Sequence, residues 1–220
     1  MEPAAAVVGR ASPRVGEPPA GHGPAPAAGR VGSTAGLVFC CAMAAEEKIA
    51  RKLGPTARVG LAAANGVPEG RLVSFGIAGS LRGDLPVGTV IDATRVVDES
   101  GATLWEGGPL GVPGARDGTI LGASRIVDDP ADRARLRNVT GADAVDMESG
   151  ALARSGRLAG CIRAISDTPD LRLGGIAQGA KPTGEADLVG LLRGFAREPR
   201  VTVRAARNAM RALRALERVA

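Results

Sequence analysis

The sequence predicts an α/β fold built in packed layers, and three observations carry that prediction. Short apolar runs at Leu37–Cys41 and Cys161–Ile165, and a longer one at Arg71–Ser80, have the composition of strands buried on both faces. Good helix formers, Met43 to Ala50, follow the first run, and a helical stretch from Asp146 through Leu152 to about Leu158 precedes the last. Strand, helix and strand in that order build layers around one core. With 45% hydrophobic residues in 220, the chain has enough apolar surface for a core of that kind.

Taken in order, residues 1–35 hold nine Ala, six Gly and six Pro with no hydrophobic period. Such a segment cannot bury enough apolar surface to offset its ordering entropy, so it reads as a disordered tail without the apolar stretch of a secretory signal. Order is expected from Gly36. After the first strand and helix, a second apolar run, Ala57 to Ala64, meets the turn chemistry of Asn65-Gly66-Val67-Pro68-Glu69-Gly70. Arg71 to Ser80 then forms a strand that ends in a glycine-bearing loop. Only seven residues, Ala64 to Gly70, separate these two runs, whereas a parallel crossover needs about a dozen. Either the strands pair in some other order or the fold is damaged there. Val87–Asp98 and Thr103–Trp105 flank Glu99-Ser100-Gly101 as a hairpin. Residues 106–118, rich in Gly and Pro, form a loop. Thr119–Leu121 and Ala142–Val145 are short strands. The domain is expected to span residues 36–196, followed by a basic helix over 197–220.

Charge is concentrated. The net formal charge is +5, and residues 197–220 alone carry seven Arg against two Glu, so the remainder is neutral. A high isoelectric point confined to one segment does not argue for nucleic-acid binding by the domain as a whole. Arg197, Arg200, Arg204, Arg207, Arg211, Arg214 and Arg218 are spaced three and four apart, one stripe on a helix, beside an apolar face of Val203, Ala206, Met210 and Leu213. That helix packs on its domain with a solvated arginine face or rests on an anionic membrane surface, with nucleic-acid binding the third and least supported reading, since no aromatics interleave with the arginines.

The single histidine, His22, lies in the tail, and the three cysteines, Cys40, Cys41 and Cys161, have no metal-site spacing. A histidine-based triad and a zinc site are thereby disfavoured, a reducing compartment is favoured, and chemistry falls to carboxylates. No stretch is apolar over the ~18 residues that a membrane-spanning helix requires. Three acidic residues follow buried strands or open helices: Glu46, Glu148 and Asp167. Each alone could be a helix cap. Asp167, however, sits at the carboxyl end of its strand, where open α/β sheets bind ligands.

These residues have particular neighbours. Ala144-Val145-Asp146-Met147-Glu148-Ser149, with Arg163-Ala164-Ile165-Ser166-Asp167, resembles the signature of the purine nucleoside phosphorylase and nucleosidase superfamily, which includes methylthioadenosine/S-adenosylhomocysteine nucleosidase. Ala42-Met43-Ala44-Ala45-Glu46 is similar to that family's first strand-to-helix loop. Phe75-Gly76-Ile77-Ala78-Gly79-Ser80-Leu81 is similar to its glycine loop, and Pro86-Val87-Gly88-Thr89-Val90 to the segment after it. Within the superfamily, Ser74 to Gly79, Gly141 to Ser149 and the Arg-rich tail most resemble the hopanoid-associated phosphorylases. The likeness spans roughly residues 36–170.

The resemblance implies a three-layer fold with a mixed central sheet flanked by helices, and an enzyme that breaks a purine N-glycosidic bond without a metal or organic cofactor. Asp167 would be the general acid that protonates the leaving base, with Ser166 orienting it, and Glu46 would activate water. Glu148 would hold the ribose hydroxyls, with Met147 beneath the sugar. Ala78, Gly79 and the backbone at Arg125 and Ile126 would line the remainder. The co-substrate would be water or inorganic phosphate. Two departures bear on that choice: Ile77 stands where relatives carry a hydroxyl, and Ser74 where hexameric phosphorylases carry a phosphate-binding Arg. Arg125 replaces an aromatic residue that would stack on adenine. The substrate implied is an adenosylated hopanoid, adenosylhopane, with methylthioadenosine, S-adenosylhomocysteine or a general purine nucleoside as alternatives. A catalytically impaired scaffold of a lipid-biosynthesis complex is the non-enzymatic alternative. A cytoplasmic homo-oligomer, free or peripheral to the membrane, completes the expectation.

Overall fold

The computed structural model describes residues 34–171 and 199–220. The proposed N-terminal tail up to residue 33, the stretch 172–198 and the first arginine of the stripe, Arg197, lie outside the described residues.

Leu37–Cys41 forms strand β1, and helix α1 runs over Ala44–Ala50. Met43 is extended and starts the helix, with Glu46 reaching back to its backbone N–H at 2.9 Å. Strand β2 is confined to Thr56–Arg58, and the expected continuation of this run to Ala64 is instead a 3₁₀ turn over Leu61–Ala63. Ala62 and Ala63 there adopt φ of +52° and +57°, a left-handed conformation that breaks any extended run. Strand β3 covers Arg71–Ser80, β4 Val90–Val97 and β5 Thr103–Glu106, the last two antiparallel as the hairpin reading requires.

The glycine-rich loop is shorter than expected, because strand β6 begins at Arg116 and continues to Gly122. Buried Asp92 fixes that loop by accepting from the Leu110 and Val112 N–H groups, both at 2.9 Å. Helix α2, Pro130–Thr140, has no counterpart in the expected elements. Its ends are nonetheless well marked: Asp129 caps the Ala131 N–H at 2.9 Å, Pro130 opens the first turn and Gly141 closes the helix at φ +67°. Strand β7, Ala144–Asp146, includes the residue expected to start the next helix, and helix α3 begins only at Ser149 and ends at Arg154. Leu158, expected at the helix end, is the first residue of strand β8, Leu158–Asp167. The C-terminal helix α4 spans Pro199–Val219.

The eight strands form one mixed sheet in the order β2-β1-β3-β7-β6-β4-β5, and β8 bridges β3 and β4. β8 runs parallel to β3 and antiparallel to β4, so β3, β7, β6, β4 and β8 close a ring. The short connection after β2 is resolved by where that strand ends: β2 and β3 both run parallel to β1, which lies between them, and with β2 stopping at Arg58, residues 59–70 are free for the return crossing that parallel strands require.

Alternate strand residues feed two apolar layers, which meets the three-layer expectation. Phe39, Val73, Phe75 and Ile162 pack with Ile49 of α1 and with Ala212 and Leu216 of α4. The rings of Phe39 and Phe75 meet edge to face, with centroids 6.0 Å apart. Cys40, Leu72, Val96 and Ile120 pack with Leu152 of α3. α4 lies on its domain through a face one step round from the expected one: Ala205, Ala212, Ala215 and Leu216 are buried, while Met210 is 53% exposed. Small alanines let this helix approach the sheet more closely than the Val203–Met210 face would. The six described arginines of the stripe are all exposed.

Candidate active site

Asp167 is the last residue of β8, and the register slips between Ala78 and Gly79 where β3 pairs with it. Such irregularities re-aim side chains at the end of a sheet. The carboxylate is buried. A Cβ on Gly79 would lie 3.0 Å from its Oδ2, so a larger residue there would push the carboxylate back by a few tenths of an ångström. The Ser166 hydroxyl lies 2.7 Å from Asp167 Oδ1 and 3.1 Å from the Ala78 carbonyl, and donates its one hydrogen to either. On the other side, Nη1 of Arg133, from α2, lies 2.5 Å from Asp167 Oδ2, with both side chains almost fully buried.

Glu46 comes from the first turn of α1. Its Oε1 accepts from the Ile77 N–H and its Oε2 from the Met43 N–H, both at 2.9 Å. Burial pushes its carboxyl above the usual range, against the opposing pull of Arg163 and those N–H donors. Gly76 makes this possible, since a Cβ there would lie 2.6 Å from Arg163 Nη1 and 2.7 Å from Glu46 Cδ.

Glu148 stands at the junction of β7 and α3, held close to the sheet because Gly122 and Gly150 let that helix approach β6. Its Oε1 accepts from the Ala62 N–H at 3.2 Å, and Arg163 lies 3.6 Å from Oε2. Burial pushes its carboxyl up to about 8, with Arg163 opposing and the charges of Asp146 and Glu46 adding to the rise. The reason is stoichiometric: one buried guanidinium serves three carboxylates. Arg163 Nε sits 2.6 Å from Asp146 Oδ2, and Nη2 donates to the Ser74 hydroxyl at 2.5 Å. Burial works against the charge of Arg163, but Asp146, Glu148 and Glu46 outweigh it and keep it protonated.

A linkage prediction follows for Glu148. Because its folded-state carboxyl titrates above its ordinary value, the folded protein holds a proton that the unfolded chain releases. This contribution to stability is complete below about pH 4.5 and is lost as the pH rises through about 8. Urea denaturation from pH 5 to 9 should show that decline, and Glu148→Gln should flatten it.

A cavity of about 190 Å³ opens between these groups. Its wall includes Asp167, Ser166, Glu46, Glu148, Met147, Ala78, Gly79, Arg125 and Ile126, every residue singled out from the sequence. Leu61, Arg133, Asp146 and the α4 residues Ala205 and Ala209 complete the polar and apolar sides. Arg125 is clamped by Asp132 of α2 at 2.5 Å, with Glu99 3.9 Å away. Ser74, by contrast, is buried behind the wall with its hydroxyl 3.0 Å from that of Ser149. Among the described residues no group of three His, Cys, Asp or Glu side chains is arranged to hold a metal ion. Burial raises the thiols of Cys40 and Cys161 to about 11, which leaves them inert.

Sequence reasoning passed over the two buried arginines. Arg163 carried a signal, a lone charge in the apolar run Cys161–Ile165. Arg133 carried a weaker one, three residues before Leu136 on the same face of a helix bracketed by Asp129-Pro130 and Gly141.

No protein-family model matches the sequence, and the curated proteins include no match to it. Among solved structures, the chain is similar to futalosine hydrolase of Helicobacter pylori, at 14% identity and a TM-score of 0.47, covering 79% of this chain and 96% of that one. It is similar also to the 5′-methylthioadenosine/S-adenosylhomocysteine nucleosidase of Helicobacter pylori, at 15% identity and a TM-score of 0.48, covering 83% and 99%. The nucleosidase of Neisseria meningitidis, in complex with methylthio-immucillin-A, gives 17% identity and a TM-score of 0.48, covering 83% and 98%.

Proposed function

We propose that this chain hydrolyses the N-glycosidic bond of a purine nucleoside. The observation that carries the reading is the meeting of Glu46, Glu148 and Asp167, three buried carboxylates from three separate elements, on one small cavity. As the bond from the sugar to the purine breaks, its electron pair goes to the base, and Asp167 transfers a proton to a ring nitrogen so that the base leaves neutral. Positive charge develops on the sugar, and Glu148, which ionises near pH 8, holds the ribose hydroxyls and stabilises that charge in its carboxylate form. Water adds to the sugar carbon while Glu46, whose proton affinity burial has raised, takes the water's proton. Solvent exchange then returns Asp167 to its acid form and Glu46 to its base form.

Water is favoured over phosphate as the acceptor. Ser74 is tied to Ser149 and Arg163 behind the wall, and Ile77 brings no hydroxyl. Among the described residues the cationic side chains that line the cavity, Arg125 and Arg133, are each paired with a carboxylate. Among the described residues, then, the cavity wall offers no unpaired cation to a phosphate dianion.

For the substrate, the motifs favour adenine release from an adenosylated hopanoid. The cavity is below the roughly 300–1,000 Å³ of larger ligand sites, so a triterpenoid would lie outside it, along the α4 side marked by Ala205 and Ala209. The exposed arginines of the same helix would then meet anionic lipid head groups. The small volume also favours a second reading, a compact nucleoside such as methylthioadenosine. Release of free adenine from adenosylhopane and from methylthioadenosine, with and without phosphate, separates these readings. Release from the hopanoid without phosphate is the expected result, together with co-sedimentation on phosphatidylglycerol vesicles that salt reverses. Release only from methylthioadenosine overturns the lipid substrate, and no release from folded protein overturns the enzyme.

A further inference from the structure

We propose that Arg133 is a positioning residue for the proton step, acting through Asp167, an inference that rests on the reading of Asp167 as the proton donor. Its guanidinium is 1% exposed and stands 2.5 Å from Asp167 Oδ2. The Arg133 Nε donates to the Val127 carbonyl at 2.9 Å, and Nη1 donates to the Thr168 carbonyl at 3.0 Å with the Ser80 carbonyl 3.5 Å away. Three backbone segments thus hold one cation against one acid before any substrate arrives.

Burying a guanidinium carries a large desolvation cost, and packing alone gives no reason for it. The same face of α2 places Leu136 in the apolar layer, where an apolar side chain serves. What a cation adds at position 133 is stabilisation of negative charge on its neighbour. When the proton leaves Asp167 for the purine ring nitrogen, a carboxylate forms beside a charge that is already fixed and needs no reorganisation. The same charge stands against Asp167 before the step, so its removal should show in the pH profile of the rate as well as in its height.

Among the described residues, the charged and titratable groups around Asp167 are few. Arg133 of α2 meets it directly, and Glu46 of α1, Asp146 and Glu148 of the β7–α3 junction and Arg125 of the segment before α2 share its cavity wall. Asp170, just beyond β8, feels the charges of Arg133 and Arg204. α4 lines the cavity with Ala205 and Ala209, which carry no charge. Arg133 alone makes an ion pair with Asp167.

The test is the pH profile of base release by wild type, Arg133→Met, Arg133→Lys and Asp167→Asn, with Trp105 fluorescence to confirm folding. In Arg133→Met the pH profile should shift relative to wild type, and the rate on its acidic plateau should fall by about tenfold or more. Arg133→Lys keeps the charge and should lie near wild type on the pH axis. In the Asp167→Asn background, Arg133→Met should add no further loss of rate. If Asp167→Asn remains active, the proton-donor reading falls and this inference with it. If Asp167→Asn is inactive but the Arg133→Met profile coincides with wild type, Arg133 is structural only. Should Arg133→Met not fold, Arg133→Gln provides the same comparison.

Discussion

Asp167→Asn should lower the rate of base release by about 10²–10⁴-fold, the usual worth of a positioned general acid. An amide has nearly the shape of the carboxyl group and can still accept from the Ser166 hydroxyl, so substrate binding should change much less than turnover. The same substitution leaves Arg133 buried without its counter-charge. Breaking a buried pair from one side costs about 3–5 kcal/mol, so the variant should also denature at lower urea. Joining Arg133→Met to it should restore much of that stability while activity stays lost. Stability and rate then separate in one pair of proteins, measured by urea titration and by adenine release.

The largest loss of stability is expected from Arg163→Met. Asp146, Glu148 and Glu46 share this single guanidinium, and Ser74 is hydrogen-bonded to it. Removing it strands a cluster of like charges in the interior, at a cost of at least the ~3–5 kcal/mol of a broken buried pair. The penalty should be greatest above about pH 8, where Glu148 is ionised, and should shrink toward pH 4–5 as Glu148 and Glu46 take up protons. Urea midpoints at those two pH values check the sign. A constant difference between wild type and variant would mean that Arg163 contributes packing alone.

The legible parts of this fold were local. β1, β3, β8 and the β4–β5 hairpin announce themselves as short apolar runs between turn residues, and the Met43–Ala50 helix as a run of good formers. α2 was missed because Ala-Asp-Arg-Ala-Arg-Leu-Arg-Asn shows little apolar period, and its signals sit at its ends, in Asp129-Pro130 and Gly141. Ring closure by β8 was hidden for another reason: it pairs residues about 70 to 90 positions apart, which no local pattern encodes. The site residues fall together because each stands where a strand gives way to a loop or a helix, and those junctions gather at one cavity. Resemblance, not periodicity, selected them. Arg133 and Arg163 escaped because a buried cation looks in sequence like any surface arginine until its partner is known.

The bridging position of β8 has a consequence for the order in which this chain acquires its structure during synthesis. β3 keeps one side unpaired, and β4 the Val90–Ala93 half of one side, until residues 158–167 have left the ribosome. A nascent chain shorter than that presents two exposed strand edges rich in Val, Ile and Phe, which invite pairing with neighbouring chains. Native assembly is thereby postponed until β8 is available, and chains halted before it should be substrates for chaperones that shield strand edges. The strand that carries Asp167 to the cavity is also the one that takes the sheet out of danger.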